Sequence, residues 1–382
     1  MPLDFLQHFQ SWDTADFLLA GVVAGIWLLR FLYDLFFNGR LAFHKVPPAG
    51  SALYPVTIFM VERNEEENLR TLLPDWLQMG YPSYEILVVD DFSEDNTPAV
   101  LGFLRSQYSR LKVTSLNQET RFSEKLARNL ALKAASHEVV VNISPSTKVP
   151  DFHWLPGISA ALARNREVII GYTGLVPHKG RTHNLYRVES FFRQMESMAF
   201  SLNRLPFTTS EENVAFLKKE YFRIGGLAGK IREEYLNLEM VINDIMKPGK
   251  VAVLPAANLS LRREIAVDGD VLQDLYHRSF RLRKHLRPAI RFFLRVSEWT
   301  SIWLIPGFLV LFLLYPGLWV IWSSLLIVKS VVYLLIIKKL QNRLQEQKIF
   351  VSSLLYGIIA PYYRLGVKWR FNNSRKRRKW GM

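Results

Sequence analysis

Cysteine is absent from all 382 residues, which excludes disulfides, thiolate metal sites and a cysteine nucleophile. Acid is the scarcer charge: 34 Asp and Glu stand against 49 Lys and Arg, leaving a net +15 at pH 7. No internal repeat occurs, and no basic and aromatic module of the kind that reads nucleic acid. His137, His153 and His183 lack metal-ligand spacing and read as surface histidines. What remains is a basic excess concentrated in residues 262–295 and 338–379, beside long apolar segments. That placement favours anionic lipid headgroups over nucleic acid as its partner.

Residues 17–37 are apolar except for Arg30 and Asp34, and they span a bilayer if those two lie near one interface. The anchor is taken as residues 15–37. Acids precede residues 17–37 (Asp4, Asp13, Asp16) and bases follow (Arg40, Lys45), the opposite of a signal peptide's basic leader, so the positive-inside rule puts the next segment in the cytoplasm. Residues 302–337 are too long for one span, and Pro316-Gly317 breaks them into a hairpin, assigned to 301–337, that returns at Lys338 and Lys339. Before the hairpin, Leu282, Leu286, Ile290 and Phe293 recur at helical spacing among Arg281, Lys284, Arg287, Arg291 and Arg295. Residues 261–298 therefore read as a basic amphipathic interfacial segment, split by Pro288. After the hairpin, 349–366 read as an interfacial or re-entrant helix and 367–382 as a basic tail, with Arg375 through Lys379 at its centre. The expectation is an integral membrane protein with its soluble domain, residues 51–260, in the cytoplasm.

Within that domain, apolar runs at 56–61, 84–89, 111–116 and 138–143 alternate with amphipathic stretches at 98–108 and 123–135. Such alternation predicts an α/β fold, a mostly parallel sheet with helices on both faces. Weaker signals place strands at 167–172, 214–218 and 251–254, and helices at 158–163, 184–203 and 236–246. The run at 84–89 ends in Asp90 and Asp91, where an open α/β sheet binds ligands. A second reading is an Asx-turn or helix cap, since Asp91, Ser93, Asp95 and Thr97 all precede the helix near Pro98. Lys125 and Arg128 fall in the first two turns of the helix at 123–135.

In order, the chain carries Val61-Glu62-Arg63-Asn64-Glu65-Glu66, Val88-Val89-Asp90-Asp91 with Ser93 and Thr97, Lys125, Val149-Pro150, residues 213–218, and Gly225-Gly226. In this order they resemble the family 2 glycosyltransferases, membrane-attached enzymes of GT-A fold, over roughly residues 54–290. The resemblance implies a GT-A-type nucleotide-binding domain in which Asp90 or Asp91 receives the base of a nucleotide-sugar, a uridine or guanosine diphosphate sugar, with Glu62 and Lys125 beside it. It also implies membrane lipids, a lipid-linked acceptor or a partner glycosyltransferase as partners, and the bacterial inner membrane as location. The family holds Mg²⁺ or Mn²⁺ on an Asp-x-Asp after the fourth strand, where this chain has Ser144-Pro145-Ser146, hydroxyls in place of both carboxylates. Its acidic pair for deprotonating the acceptor corresponds to Glu233-Glu234, although ungapped counting from Gly249 reaches Asn237-Leu238 instead, and Glu233 and Glu234 also read as first-turn acids of the next helix. Its Gln-x-x-Arg-Trp motif is matched nearest by Arg281, Lys284 and His285, with Gln273 at worse spacing, and Lys148 is a further phosphate candidate. Two readings stay open: transfer of a sugar to a lipid-linked or polysaccharide acceptor, or a non-catalytic relative that binds nucleotide-sugar, glycan or a partner enzyme.

Overall fold

The computed structural model describes residues 12–48, 50, 52–119, 122–346 and 350–380. They divide into two compact units, one of His44–Leu286 with Arg343–Gln345, the other of Met1–Phe43, Arg287–Asn342 and Glu346–Met382. The chain begins with helix α1 (Thr14–Phe43) of the second unit. Asp13 caps it, accepting from the Asp16 amide while Asp16 reaches back to the Asp13 amide.

The larger unit is built on a seven-stranded sheet. Strands β1 (Val56–Glu62) and β2 (Tyr84–Asp90) flank α2 (Glu66–Leu77), and β3 (Leu111–Ser115) follows α3 (Thr97–Gln107). Then come α4 (Ser123–Ala134), β4 (Val139–Asn142), the short β5 (Thr147–Lys148) and α5 (Trp154–Leu162). Strands β6 (Val168–Gly171) and β7 (Thr173–Leu175) lead into the long α6 (Arg181–Leu202), and β8 (Val214–Leu217), α7 (Lys218–Arg223), α8 (Leu238–Ile245), β9 (Val251–Leu254), β10 (Leu261–Arg263) and α9 (Gly269–His285) complete the unit. The strand order is β3-β2-β1-β4-β8-β6-β9. Every residue of β2 is buried, as its unbroken apolar run requires of a central parallel strand.

Two features add detail to the sequence expectation. The sheet is mostly parallel, as expected, and strand β8 runs antiparallel to both β4 and β6 within it. Apolar patterning reports burial but not direction, and only the path through α6 reverses the chain. A second sheet of order β5-β10-β7 also forms, from strands of two or three residues. Runs that short carry no periodic signal.

Under the main sheet, Trp76 of α2 packs edge-on against Trp154 of α5 with ring centroids 5.6 Å apart, and both are fully buried. Helix α9 is capped by Asp268, which accepts from the amides of Asp270 and Val271. It buries Leu272, Tyr276, Phe280 and Leu282, and residues 269–285 belong to the α/β unit. A helix break at Leu286–Arg287 precedes Pro288, because proline disfavours helical geometry in the residue before it.

In the other unit, α10 (Pro288–Leu314) and α11 (Trp319–Leu344) turn at Tyr315 and a 3₁₀ segment at Pro316–Leu318, the expected hairpin. Among the described residues three helices are long and apolar enough to cross a membrane: Thr14–Phe43, Pro288–Leu314 and Pro316–Leu344. Arg30 and Asp34 do not depend on a bilayer interface for solvation. They pair with each other at 3.3 Å, Asp34 pairs with Lys329 at 3.5 Å, and Arg30 donates to the Ser297 hydroxyl at 3.1 Å. The last helix, α12 (Phe350–Trp380), is continuous past the boundary drawn at 366. Asp4, Ser51, residue 349 of the expected interfacial helix and residues 381–382 of the tail lie outside the described residues.

Candidate functional site

The carboxyl ends of β1 and β2 bring three predicted acids together. Register pairs Glu62 with Asp90, and the Asp91 amide donates to the Glu62 carbonyl at 2.7 Å. Asp90 accepts from the Ser93 amide at 3.2 Å, a turn contact made possible by Phe92 at φ +60°. Ahead of α3, Asp95 makes the local turn contact, accepting from the Thr97 amide at 3.0 Å. Asp91 is thereby released from the turn. Its Oδ2 accepts from the Ser123 hydroxyl at 3.1 Å, while Oδ1 is buried with no hydrogen-bond partner among the described residues. A buried acceptor left unpaired is costly, and ligand binding is one way to satisfy it. Burial pushes the Asp91 carboxyl above its ordinary range and the Glu62 carboxyl well above it.

Lys125 sits beside this rim but is turned to another task. Its ammonium donates to the Ile231 carbonyl at 3.3 Å and to the Glu233 carbonyl, holding the loop that follows the double glycine. That loop starts with Gly225 at φ +79° and Gly226 at φ +57°, and a Cβ on Gly226 would lie 2.5 Å from the Tyr221 ring. Glu233 receives the Arg281 guanidinium, with Nε at 2.8 Å, and stands 3.4 Å from His285 Nε2. Burial would raise its carboxyl, but Arg281 outweighs that and holds it low, a poor setting for a base. Glu234 and Lys284 are exposed. One expected base, Glu233, and one expected phosphate cation, Arg281, thus meet as an ion pair.

A different carboxylate lines the cavity of this unit. It measures about 270 Å³ and is walled by Tyr186, Glu211, Glu212, Glu239, Arg263 and Arg278 among others. Asn213, at φ +54°, accepts from Trp154 Nε1 at 2.9 Å and donates to the Tyr172 carbonyl at 2.9 Å, which fixes where Glu211 and Glu212 point. Arg128 grips Glu211 with two bonds of 3.0 and 2.6 Å. Glu239, in the first turn of α8 and only 1% exposed, accepts from Arg278 at 2.9 Å and from the Asn237 amide at 2.9 Å. Burial pulls both carboxyls upward, yet Arg128 holds Glu211 low, and burial together with the Glu211 charge leaves Glu239 raised. Glu239 escaped the sequence reading because ungapped counting stopped at Asn237-Leu238. A shift of one position brings it into the pair, and the start of α8 at Leu238 was the missing signal.

Residues 57–235 match the model of the glycosyl transferase family 2. They form a family 2 glycosyltransferase domain. Two relatives are beta-monoglucosyldiacylglycerol synthases: that of Trichormus variabilis is 26% identical over 144 residues, 37% of this chain and 30% of the relative. That of Synechocystis sp. is 31% identical over 105 residues, 27% of this chain and 22% of the relative. Both matches span less than a third of those proteins' length. The mannosyltransferase PcManGT from Pyrobaculum calidifontis, solved in complex with GDP-Man and Mn²⁺, shares the fold with a TM-score of 0.54 at 18% identity, covering 90% of this chain and 97% of that one.

The place where a family 2 domain carries its metal acids has a different donor set here. Strand β4 runs parallel to β1, and the Ile143 amide donates to the Phe59 carbonyl, so Ser144-Pro145-Ser146 leaves the sheet on the Glu62 rim. The Ser144 and Ser146 hydroxyls bond each other at 3.1 Å, and the Arg263 guanidinium donates to Ser146 Oγ at 3.1 Å. No group of three or more His, Asp or Glu able to hold a metal occurs among the described residues. Two neutral hydroxyls beneath a fixed cation do not fit Mg²⁺ or Mn²⁺, which take charged hard oxygens.

Proposed function

We propose that the domain binds a nucleotide-sugar at the β1/β2 rim and transfers the sugar to an acceptor carried at a membrane. The single observation that carries the reading is Asp91, a nearly buried carboxylate whose Oδ1 has no partner among the described residues, at the carboxyl end of a parallel strand. A nucleobase N–H or ribose hydroxyl is a donor suited to that atom. The family match supports the reaction class, and the relatives' lipid-synthase names together with three apolar helices support a lipid acceptor.

Glu239 is assigned as the base. Its raised carboxyl stands nearer neutral pH than a free glutamate, where a general base is most effective, and it lines the cavity. The test is transfer of radiolabelled sugar from UDP- and GDP-sugars to extracted membrane lipid by the full chain in lipid nanodiscs. Labelled glycolipid is the expected product, and its absence with every donor would end the transferase reading. The loss of both carboxylates at positions 144 and 146 favours a second reading, binding without turnover. Calorimetry distinguishes the two, since nucleotide would then bind with no product formed.

The basic residues at the C-terminal ends of the first and third apolar helices support a cytoplasmic position for the domain. Reporter fusions at Gly50 and Met382 should both read as internal, and an external signal from either would overturn that topology.

A further inference from the structure

We propose that Arg263 does in this protein what a divalent cation does elsewhere: its guanidinium binds the diphosphate of the donor and takes up the charge of the departing group. This rests on the nucleotide-sugar reading above. Strand β10 runs antiparallel to β5 with Arg263 opposite Thr147, and the Glu264 amide donates to the Ser146 carbonyl at 2.9 Å. That ladder delivers the side chain to the Ser146 hydroxyl, with Glu212 on its other edge. Of the five N–H donors of a guanidinium, Nε goes to Ser146 and Nη1 to Glu212 at 2.7 Å, leaving Nη2 without a hydrogen bond among the described residues.

The cation is fixed yet reachable. Its side chain is 31% exposed and walls the cavity together with Glu239. Arg281 and Lys284, the cations expected from sequence to meet the phosphates, are placed less well: the first is closed onto Glu233 and the second is exposed. A planar guanidinium bridges Glu212 on one edge and phosphate oxygens on another without any change of protonation. In the transfer step the anomeric C–O bond to the diphosphate breaks and its electron pair leaves on the nucleoside diphosphate beside Arg263. The acceptor oxygen forms the new bond to that carbon, and its proton passes to Glu239.

The experiment titrates UDP, GDP, uridine and guanosine into the full chain in nanodiscs, by calorimetry, in EDTA and again in millimolar Mn²⁺. The diphosphate that binds should do so in EDTA with affinity within a few-fold of that in Mn²⁺. Arg263→Gln should weaken it by about 10- to 100-fold, the worth of charged hydrogen bonds, with its nucleoside unchanged. Arg263→Lys should recover part of the loss. Ser146→Asp, which closes Arg263 onto an internal carboxylate, should weaken diphosphate in EDTA as Arg263→Gln does, and it guards against misfolding of a single variant. Diphosphate binding that vanishes in EDTA, or that survives both Arg263→Gln and Ser146→Asp, overturns the assignment. If neither nucleoside nor diphosphate binds at all, the nucleotide-sugar reading itself fails and this inference falls with it, a result distinct from normal binding that ignores Arg263.

Discussion

The site has two halves that differ in how their charges are handled. At the β1/β2 rim the acids stand almost without cations, so Glu62 is pushed up by burial and Asp91 keeps an unpaired oxygen. Across the cavity three acids each have an arginine: Glu211 with Arg128, Glu239 with Arg278, Glu212 with Arg263. An uncompensated acid offers acceptors to neutral donors such as a nucleobase. A compensated set offers a fixed field in which anionic phosphate and a proton-accepting carboxyl coexist. Under the proposed function, the contrast teaches that recognition and reaction rest on differently compensated acids.

The largest expected effect tests the compensated half. Glu239→Gln should lower kcat by roughly 10²- to 10⁴-fold with little change in nucleotide affinity. In the unmodified protein a base must be ionised, so with its carboxyl raised, activity should fall on acidification at a higher pH than an ordinary glutamate gives. That limb should disappear from the pH–rate profile of the variant; its persistence would move the base elsewhere.

Next in size is the ion pair itself. Arg128→Met strands the Glu211 carboxylate in a buried setting, and denaturant unfolding should show a loss of about 3–5 kcal/mol. A loss below 1 kcal/mol would mean that the pair is not desolvated.

Asp91→Asn tests the uncompensated half from the opposite side. Nucleotide affinity should drop by about 10- to 100-fold in calorimetry. Stability should not drop. A carboxyl raised above its unfolded value subtracts stability at neutral pH and restores it as pH falls through the folded value, so a neutral amide should hold or raise the Tm. Acidification should likewise weaken nucleotide binding to the unmodified chain from a pH above the ordinary aspartate range. A Tm lowered by several degrees would show that Asp91 is a structural acid.

The smallest effect concerns the loop that Lys125 holds between the halves. Gly226→Ala meets both the positive φ and the Tyr221 ring, and should cost roughly 1–3 kcal/mol in thermal unfolding. A neutral result would show that the loop relaxes freely.

The uncompensated half was legible in sequence because it is local. Asp90 and Asp91 end an unbroken apolar run, and Glu62 ends another, so strand type and chain order alone put them on one rim. Ser144 and Ser146 were legible for the same reason, as the residues next after β4. The apolar segments showed equally well, since length and hydropathy need no partner to be read.

The compensated half was not legible. Arg128 meets Glu211 across 83 residues, and Arg263 meets Ser146 across 117. No spacing rule links positions that far apart. The reversal of β8 and the pairing of three strands too short to show a period decide which basic residue faces which acid. The basic excess around 262–295 was visible in composition, but α9 turned part of it inward, where Arg278 and Arg281 serve Glu239 and Glu233. Sequence by itself determined the strand ends, the acids on them and the apolar helices, because each follows from the free energy of burying a contiguous run. Only the tertiary structure decided the ion pairs, because Coulomb energy depends on separation in space, which the order of residues along a chain does not contain.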